Sequence, residues 1–150
     1  MTTDRMTRPE AVTLCRLAKA SCPQQAFDEY TPDAWFELLR DLRFEDCKDA
    51  LFAVVRESPF VAPAEIRAHI KRVRSDRLKR FGHIAPTHEM FGGDWRKESA
   101  WVCEIQRRVA DGELTREEHD AEMRALGYMG DREVPALGGV FRTVDEEPSA

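Results

Sequence analysis

Signals for the start of an α-helix recur along this chain, whereas signals for β-strands are nearly absent. Thr7 and Glu10 stand in the S/T-x-x-E pattern, in which the threonine caps backbone N–H groups and the glutamate bonds back to the cap. The apolar side chains that follow repeat three and four positions apart, as one buried helix face requires; they are Ala11, Leu14, Cys15, Ala18 and Cys22. The sequence therefore predicts a helix from about Arg8 to Ser21, which Pro23 ends.

Two further helices are predicted before Pro59. Thr31 followed by Pro32 is typical of a helix start. The side chains expected to face inward from this second helix are Trp35, Leu38, Leu39 and Leu42. Glu45 and Asp46 suit the N-terminus of a third helix, because carboxylates are stabilised by the N–H groups exposed there. The apolar face of the third helix comprises Cys47, Ala50, Leu51, Val54 and Val55.

Pro63 opens a long fourth helix with both an apolar and a basic face. At about 100° per residue, one side carries Ile66, Ile70, Val73 and Phe81. The stripe beside it carries Arg67, Lys71 and Arg74. We expect the helix to extend beyond the bundle after Val73, so that its last cations project into solvent; these are Arg77, Lys79 and Arg80.

Glycine and proline in the segment GHIAPTHEMFGG predict a linker over residues 82–93. Beyond it, Asp94 can cap a helix that Gly112 closes, and Thr115 with Glu118 forms another capping box for a helix that ends at Gly127. We predict an all-α fold whose helical N-terminal domain spans residues 1–81 and contains four helices. Residues 94–127, which we call the arm, hold two helices, and residues 128–150 form a disordered acidic tail.

The net charge of −5 hides a strong segregation of charge along the chain. Residues 62–81 carry seven basic and two acidic side chains, whereas residues 111–150 carry four basic and eleven acidic ones. Such asymmetry suggests that different segments meet different partners. We predict that six cations of the fourth helix contact nucleic acid or a protein partner: Arg67, Lys71, Arg74, Arg77, Lys79 and Arg80. The alternative is a solvated face that pairs with carboxylates of neighbouring helices.

The arm provides a second candidate surface, because aromatic anchors on a helix often enter a groove of another protein. The side chains concerned are Trp95, Trp101, Val102, Ile105 and Val109. The alternative is that the tryptophans pack back on the first domain and complete its core.

No motif in the sequence predicts catalysis, a cofactor or a metal. The GxxxxGK[ST] phosphate loop, the GxSxG elbow and the HExxH pattern are all missing from the 150 residues. The four cysteines form no CxxC pair, which favours reduced thiols in mostly packed positions; they are Cys15, Cys22, Cys47 and Cys103. His83, His88 and Glu89 lie together in the linker, but four close ligands of a structural zinc site are not apparent. We therefore expect a protein that is not an enzyme.

The segments TRPEAVTLCRLAKA and TPDAWFELLRDLRFEDCKDALFAVVRESPFVAPAEIRAHI carry a family resemblance. Over about residues 7–81 the chain resembles the small bacteriophage proteins that load or inhibit the replicative DNA helicase. The resemblance lies in the opening helix with Leu14 and Leu17, the helix from Trp35 to Leu42, the aliphatic third helix with Leu51 and Val54, and the SPFVAPAEIRAHI junction.

This resemblance implies a helical N-terminal domain and a flexible C-terminal part that binds the hexameric helicase until it is delivered to single-stranded DNA. Members act without an ATPase of their own. The helicase contact would fall on the arm after Gly93, where two clear helix signals differ from the disorder that the family implies.

We therefore expect a cytoplasmic protein of the bacterial host cell that acts in phage or prophage DNA replication. Its partners would be the helicase and either single-stranded DNA or another replication protein. We expect no contact with a membrane. The alternative function is a small DNA-binding regulator that acts through the basic helix, residues 64–81.

Overall fold

The computed structural model describes residues 5–128, and this part of the chain contains seven helices and no strand. The all-α fold class predicted from the sequence is therefore confirmed. The helices are α1 (Arg8–Ser21), α2 (Thr31–Leu39), α3 (Phe44–Val55), α4 (Pro63–Phe81), α5 (His88–Phe91), α6 (Trp95–Ala110) and α7 (Arg116–Ala125). Apart from Tyr128, the predicted acidic tail lies outside the described residues. No described helix is both long and apolar enough to span a bilayer.

Predicted side-chain caps are present at the starts of three helices, α1, α6 and α7. The Thr7 side chain accepts from the Glu10 backbone N–H and Glu10 bonds back to the Thr7 backbone, so the predicted capping box is present. Asp94 caps α6, and Thr115 with Glu118 caps α7, as predicted. The start of α2 differs from the prediction.

Thr31 is the first residue of α2 and not its cap. The Asp28 carboxylate instead accepts hydrogen bonds from the backbone N–H groups of Tyr30 and Thr31, at 3.0 and 2.9 Å. The hydrogen bond from the Thr31 hydroxyl, together with these backbone bonds, holds the pKa of Asp28 below its usual value. An aspartate three positions before the first helical residue can therefore accept the hydrogen bonds of the backbone N–H groups at the start of the helix.

The first four helices pack around a core that we call the N-terminal core. Its buried members are Met6, Ala11, Leu14, Cys15, Ala18, Cys22, Trp35, Leu39, Cys47, Ala50, Leu51, Val61, Ile66 and Ile70. The Gln25 side chain ties the loop after α1 to the segment before α4, because it donates to the Val61 carbonyl at 2.7 Å and accepts from the Val61 N–H at 2.8 Å. Leu38 was expected to face this core but is 54% exposed. It lies one position, or about 100°, from buried Leu39, so the helix turns it away.

A second, smaller cluster, the C-terminal core, joins the end of α4 to the arm. It consists of Phe81, Ile105, Val109 and Leu114, with Leu78, Ile84 and Trp101 packed against it. The end of α4 therefore does not project freely into solvent, contrary to the prediction, because Leu78 and Phe81 bury apolar surface against α6. His119 and Met123 of α7 are buried, whereas Leu126, which follows the helix, is 65% exposed.

The predicted linker, residues 82–93, contains the short helix α5. The division of the chain into a domain, a linker and an arm remains a prediction.

Candidate functional site

The basic helix α4 presents its cations in two different environments. Arg67 forms a bidentate ion pair with Asp41, with distances of 2.6 and 2.8 Å, and also donates to the Leu38 carbonyl at 2.8 Å. This contact lowers the pKa of Asp41 and raises that of Arg67. The Arg67 charge is thus partly satisfied within the molecule, which weakens its availability to a partner.

Arg74 and Arg77 reach the C-terminal end of α6. Arg74 pairs with the carboxylate of Asp111, whose side chain is only 8% exposed, and Arg77 donates to the Ala110 carbonyl at 2.9 Å. Arg107 bonds the other Asp111 oxygen at 2.9 Å. Cations at this position suit the partial negative charge of a helix C-terminus. Two of the six predicted binding cations therefore connect α4 to the arm.

Arg43 extends this contact from the start of α3. Its guanidinium donates to the Asp111 carbonyl at 3.2 Å and lies 3.6 Å from the Glu113 carboxylate. Asp46, nearby on α3, has a raised pKa, because burial outweighs the opposing charges of Arg43, Arg77 and Arg74. Arginine and carboxylate side chains of opposite charge thus meet where α3 and α4 contact the arm.

The other three predicted cations, Lys71, Lys79 and Arg80, are exposed. Within residues 5–128 they form no ion pair or hydrogen bond. These three side chains are available to a phosphate group or an acidic protein surface without the loss of an internal hydrogen bond or ion pair.

The predicted helicase-binding residues of the arm also divide into two groups. Trp95 is 69% exposed and stacks with Arg96, whose guanidinium carbon lies 5.4 Å from the indole centroid. Ile105 and Val109 are buried in the C-terminal core. Trp101 and Val102 are half-buried.

Trp101 packs between aromatic rings of the arm and the linker. Its ring centroid lies 6.1 Å from that of Phe91 and 6.0 Å from that of His119. The structure does not bring Trp101 together with Trp95 on one open face, because Trp101 contacts the C-terminal core.

Sequence reasoning did not single out Arg43, Asp111 or Arg116 as site residues. Each lies at or near a helix end, where the linear sequence offers an ordinary capping explanation. The tertiary packing shows that Asp111 contacts three arginines. Arg107 belongs to α6, whereas Arg43 and Arg74 are distant in the sequence.

The cysteines and histidines form no assembled centre among the described residues. Cys15, Cys22 and Cys47 are buried, Cys103 is exposed, and all four are free thiols. Burial raises the pKa of Cys15 to about 11 and that of Cys47 to about 12, so both thiols are protonated at neutral pH. Over residues 5–128, no group of three or more potential metal ligands comes together.

Comparison with protein families gives a match over the first part of the chain. The model of the bacteriophage helicase-loader/inhibitor N-terminal domain matches residues 6–65, which include α1 to α3 and the first turn of α4. The basic part of α4 and the arm lie outside the match. Comparison with curated proteins and with solved structures gives no significant match. Residues 6–65 are therefore similar to the N-terminal domain of the bacteriophage helicase loaders and inhibitors, the family that the sequence resembles.

Proposed function

We propose that this protein is a phage or prophage replication adaptor that binds the replicative DNA helicase in the bacterial cytoplasm and loads or inhibits it. The family match over residues 6–65 is the observation that carries this proposal. The sequence contains no phosphate-binding loop, which supports an adaptor without its own ATPase activity.

The helicase contact begins, in this proposal, at Trp95. An indole that is 69% exposed offers a large apolar area for burial at an interface. Two of the other predicted contacts of the arm, Ile105 and Val109, become accessible only when α6 separates from α4. Helicase binding through these two residues would therefore compete with their packing in the C-terminal core. Binding of the helicase and separation of the arm from α4 would then be thermodynamically coupled.

The test is co-elution of the full-length protein with the hexameric host helicase in size-exclusion chromatography. We expect a complex, and we expect Trp95→Ala to weaken it by at least about tenfold, as for an interface hot spot. Tyr30→Ala is the matched control, because Tyr30 is an equally exposed aromatic residue on the N-terminal domain. Folded protein that never co-elutes with the helicase would remove the proposal, and equal effects of the two variants would remove the role of Trp95.

A small DNA-binding regulator is the second candidate, favoured by the three exposed cations Lys71, Lys79 and Arg80. It predicts DNA affinity that falls steeply with salt, and no helicase complex. Its electrostatic surface is smaller than the sequence suggests, because Arg67 and Arg74 already pair with carboxylates.

A further inference from the structure

A cleft with a volume of about 430 Å³ opens where α4 meets the connection between α6 and α7. Three arginines line it: Arg77 and Arg80 from α4, and Arg116 from the first turn of α7. Among the described residues, Glu117 is the one carboxylate that lines it. Three guanidinium groups around one concave space create a positive potential there, although the whole chain is acidic.

Backbone carbonyls orient two of these guanidinium groups. Arg77 donates to the Ala110 carbonyl and Arg116 donates to the His83 carbonyl, each at 2.9 Å. A neutral carbonyl fixes the direction of a guanidinium without cancelling its charge, and it leaves other N–H groups of the fork for a ligand.

The carboxylates around the cleft balance these charges incompletely. Asp120 lies 3.2 Å from Arg116, and Asp46 acts on Arg77 from beyond ion-pairing distance. Arg80 has no ion-pairing partner within the described residues. The cleft therefore retains net positive charge.

Gly112 makes the position of Arg77 possible. Its φ of +76° favours glycine, and an added Cβ would lie 3.0 Å from Cζ of Arg77. The connection between α6 and α7 thus passes close against this guanidinium, which is held before any ligand arrives.

We propose that this cleft binds a phosphate group of the single-stranded DNA backbone. Arginine forks match the geometry of phosphate oxygens, and a cleft of this volume admits a nucleotide as well as a bare anion. Lys79, which is exposed and adjacent to Arg80 in the sequence, adds positive charge outside the cleft. A polyanionic strand can use such an extended positive surface, whereas a single small anion cannot. The choice of single-stranded DNA as the ligand rests on the proposed replication function. The positive charge of the cleft does not depend on that function.

The experiment measures the affinity of the full-length protein for a fluorescent 20-nucleotide oligo(dT) by anisotropy over a range of salt concentrations. Arg80→Ala is the informative variant, because the exposed side chain makes no hydrogen bond or ion pair within residues 5–128 that the fold would lose. Arg72→Ala is the matched control, since Arg72 is an exposed arginine of the same helix outside the cleft.

We expect Arg80→Ala to weaken oligonucleotide binding about fivefold or more and to reduce the salt slope by about one. We expect less than about a twofold effect for Arg72→Ala. Arg77→Gln, which keeps an amide donor for the Ala110 carbonyl, should weaken binding similarly, with thermal unfolding as the check on its fold.

Three outcomes of the binding experiment alone would contradict DNA binding at the cleft. These are wild-type protein that does not bind the oligonucleotide, equal effects of Arg80→Ala and Arg72→Ala, and tighter binding of a glutamate-rich peptide of equal charge. Helicase co-elution of the same variants separates the two proposals. Oligonucleotide binding through the cleft without a helicase complex would reject the proposed function and keep the cleft, whereas Arg80→Ala that loses only the helicase would reject the cleft.

Discussion

The two cores of this molecule differ in size and in how they are completed. Fourteen buried residues between Met6 and Ile70 form the N-terminal core, whereas four buried residues form the C-terminal core. Because burial of apolar area is the main source of stability, the first assembly is expected to be much the more stable. The arm therefore relies on additional polar contacts to stay on α4.

The two halves of α4 show the same contrast. In the first half, Arg67 pairs with Asp41, whose side chain is 54% exposed. In the second half, Arg74 pairs with Asp111, which is 8% exposed and also bonds Arg107. Water screens the pair of Arg67 and Asp41, whereas the carboxylate of Asp111 is shielded from water. Removal of one partner should therefore reduce stability more at the arm than at Asp41.

The largest effect is expected when one buried side chain is truncated in each core and the stabilities of the two variants are compared. Leu51→Ala should lower the free energy of unfolding of the whole domain by about 3 kcal/mol, since Leu51 is fully buried. Ile105→Ala should act mainly on the arm and leave the amides of α1 to α3 protected. Native-state hydrogen exchange resolved by helix measures both effects.

Equal loss of protection in α1 and α6 in both variants would contradict this comparison. It would show that the two cores unfold as one cooperative unit, and the arm could then not separate from α4 to bind a partner.

The next effect concerns the charges between α4 and the arm. Asp111→Ala should destabilise the docked arm by roughly 2 kcal/mol, because it leaves Arg74 and Arg107 without their shared carboxylate. Asp41→Ala, which removes the exposed partner of Arg67, should cost less than about 1 kcal/mol. Exchange of the α6 amides distinguishes the two variants, and a larger effect of Asp41→Ala would reverse the comparison.

Sequence periodicity and capping predicted the helices well, because both depend on residues within a few positions of one another. The bounds of α1, its capping box and the apolar face from Ala11 to Ala18 are confirmed. The environment of the α4 cations was not predictable in this way. Arg74 meets Asp111 across 37 positions of sequence, and such a contact depends on tertiary packing.

The candidate site shows the same limit. The positive charge of α4 was evident from the sequence, but the cleft also needs Arg116 from α7 and the glycine turn at Gly112. The family match supports the helicase hypothesis for residues 6–65, and the predicted roles of the individual arm and α4 residues stay predictions.

Two glycines with similar backbone angles give a smaller and sharper test. Gly112 and Gly127 have φ values of +76° and +78°, so alanine at either position costs about 1 kcal/mol of backbone strain. Only at position 112 would the new Cβ meet Arg77, at 3.0 Å, whereas nothing lies within 4 Å at position 127. Gly112→Ala should therefore lower the melting temperature more and weaken oligonucleotide binding, while Gly127→Ala leaves that binding unchanged. Identical binding of both variants would show that Arg77 does not depend on the turn.

The smallest effect is a difference in pH dependence between Asp41 and Asp46. Arg67 holds the pKa of Asp41 below its usual 3.8, so the charged carboxylate adds stability above that pH, and the addition is lost as pH falls through the folded-state pKa. Burial raises the pKa of Asp46, so its charged form costs stability at neutral pH, and the cost disappears as pH falls through that higher pKa. Chemical denaturation of Asp41→Asn and Asp46→Asn from pH 7 to pH 3 should thus show changes of opposite sign, each below about 1 kcal/mol. Asp41→Asn should be less stable than the wild type at pH 7, Asp46→Asn should be more stable, and the Asp46→Asn difference should shrink first on acidification. If Asp46→Asn is instead less stable at pH 7, the attraction of Arg43, Arg74 and Arg77 outweighs the burial of this carboxylate, and Asp46 then helps to hold the arginines that face the arm.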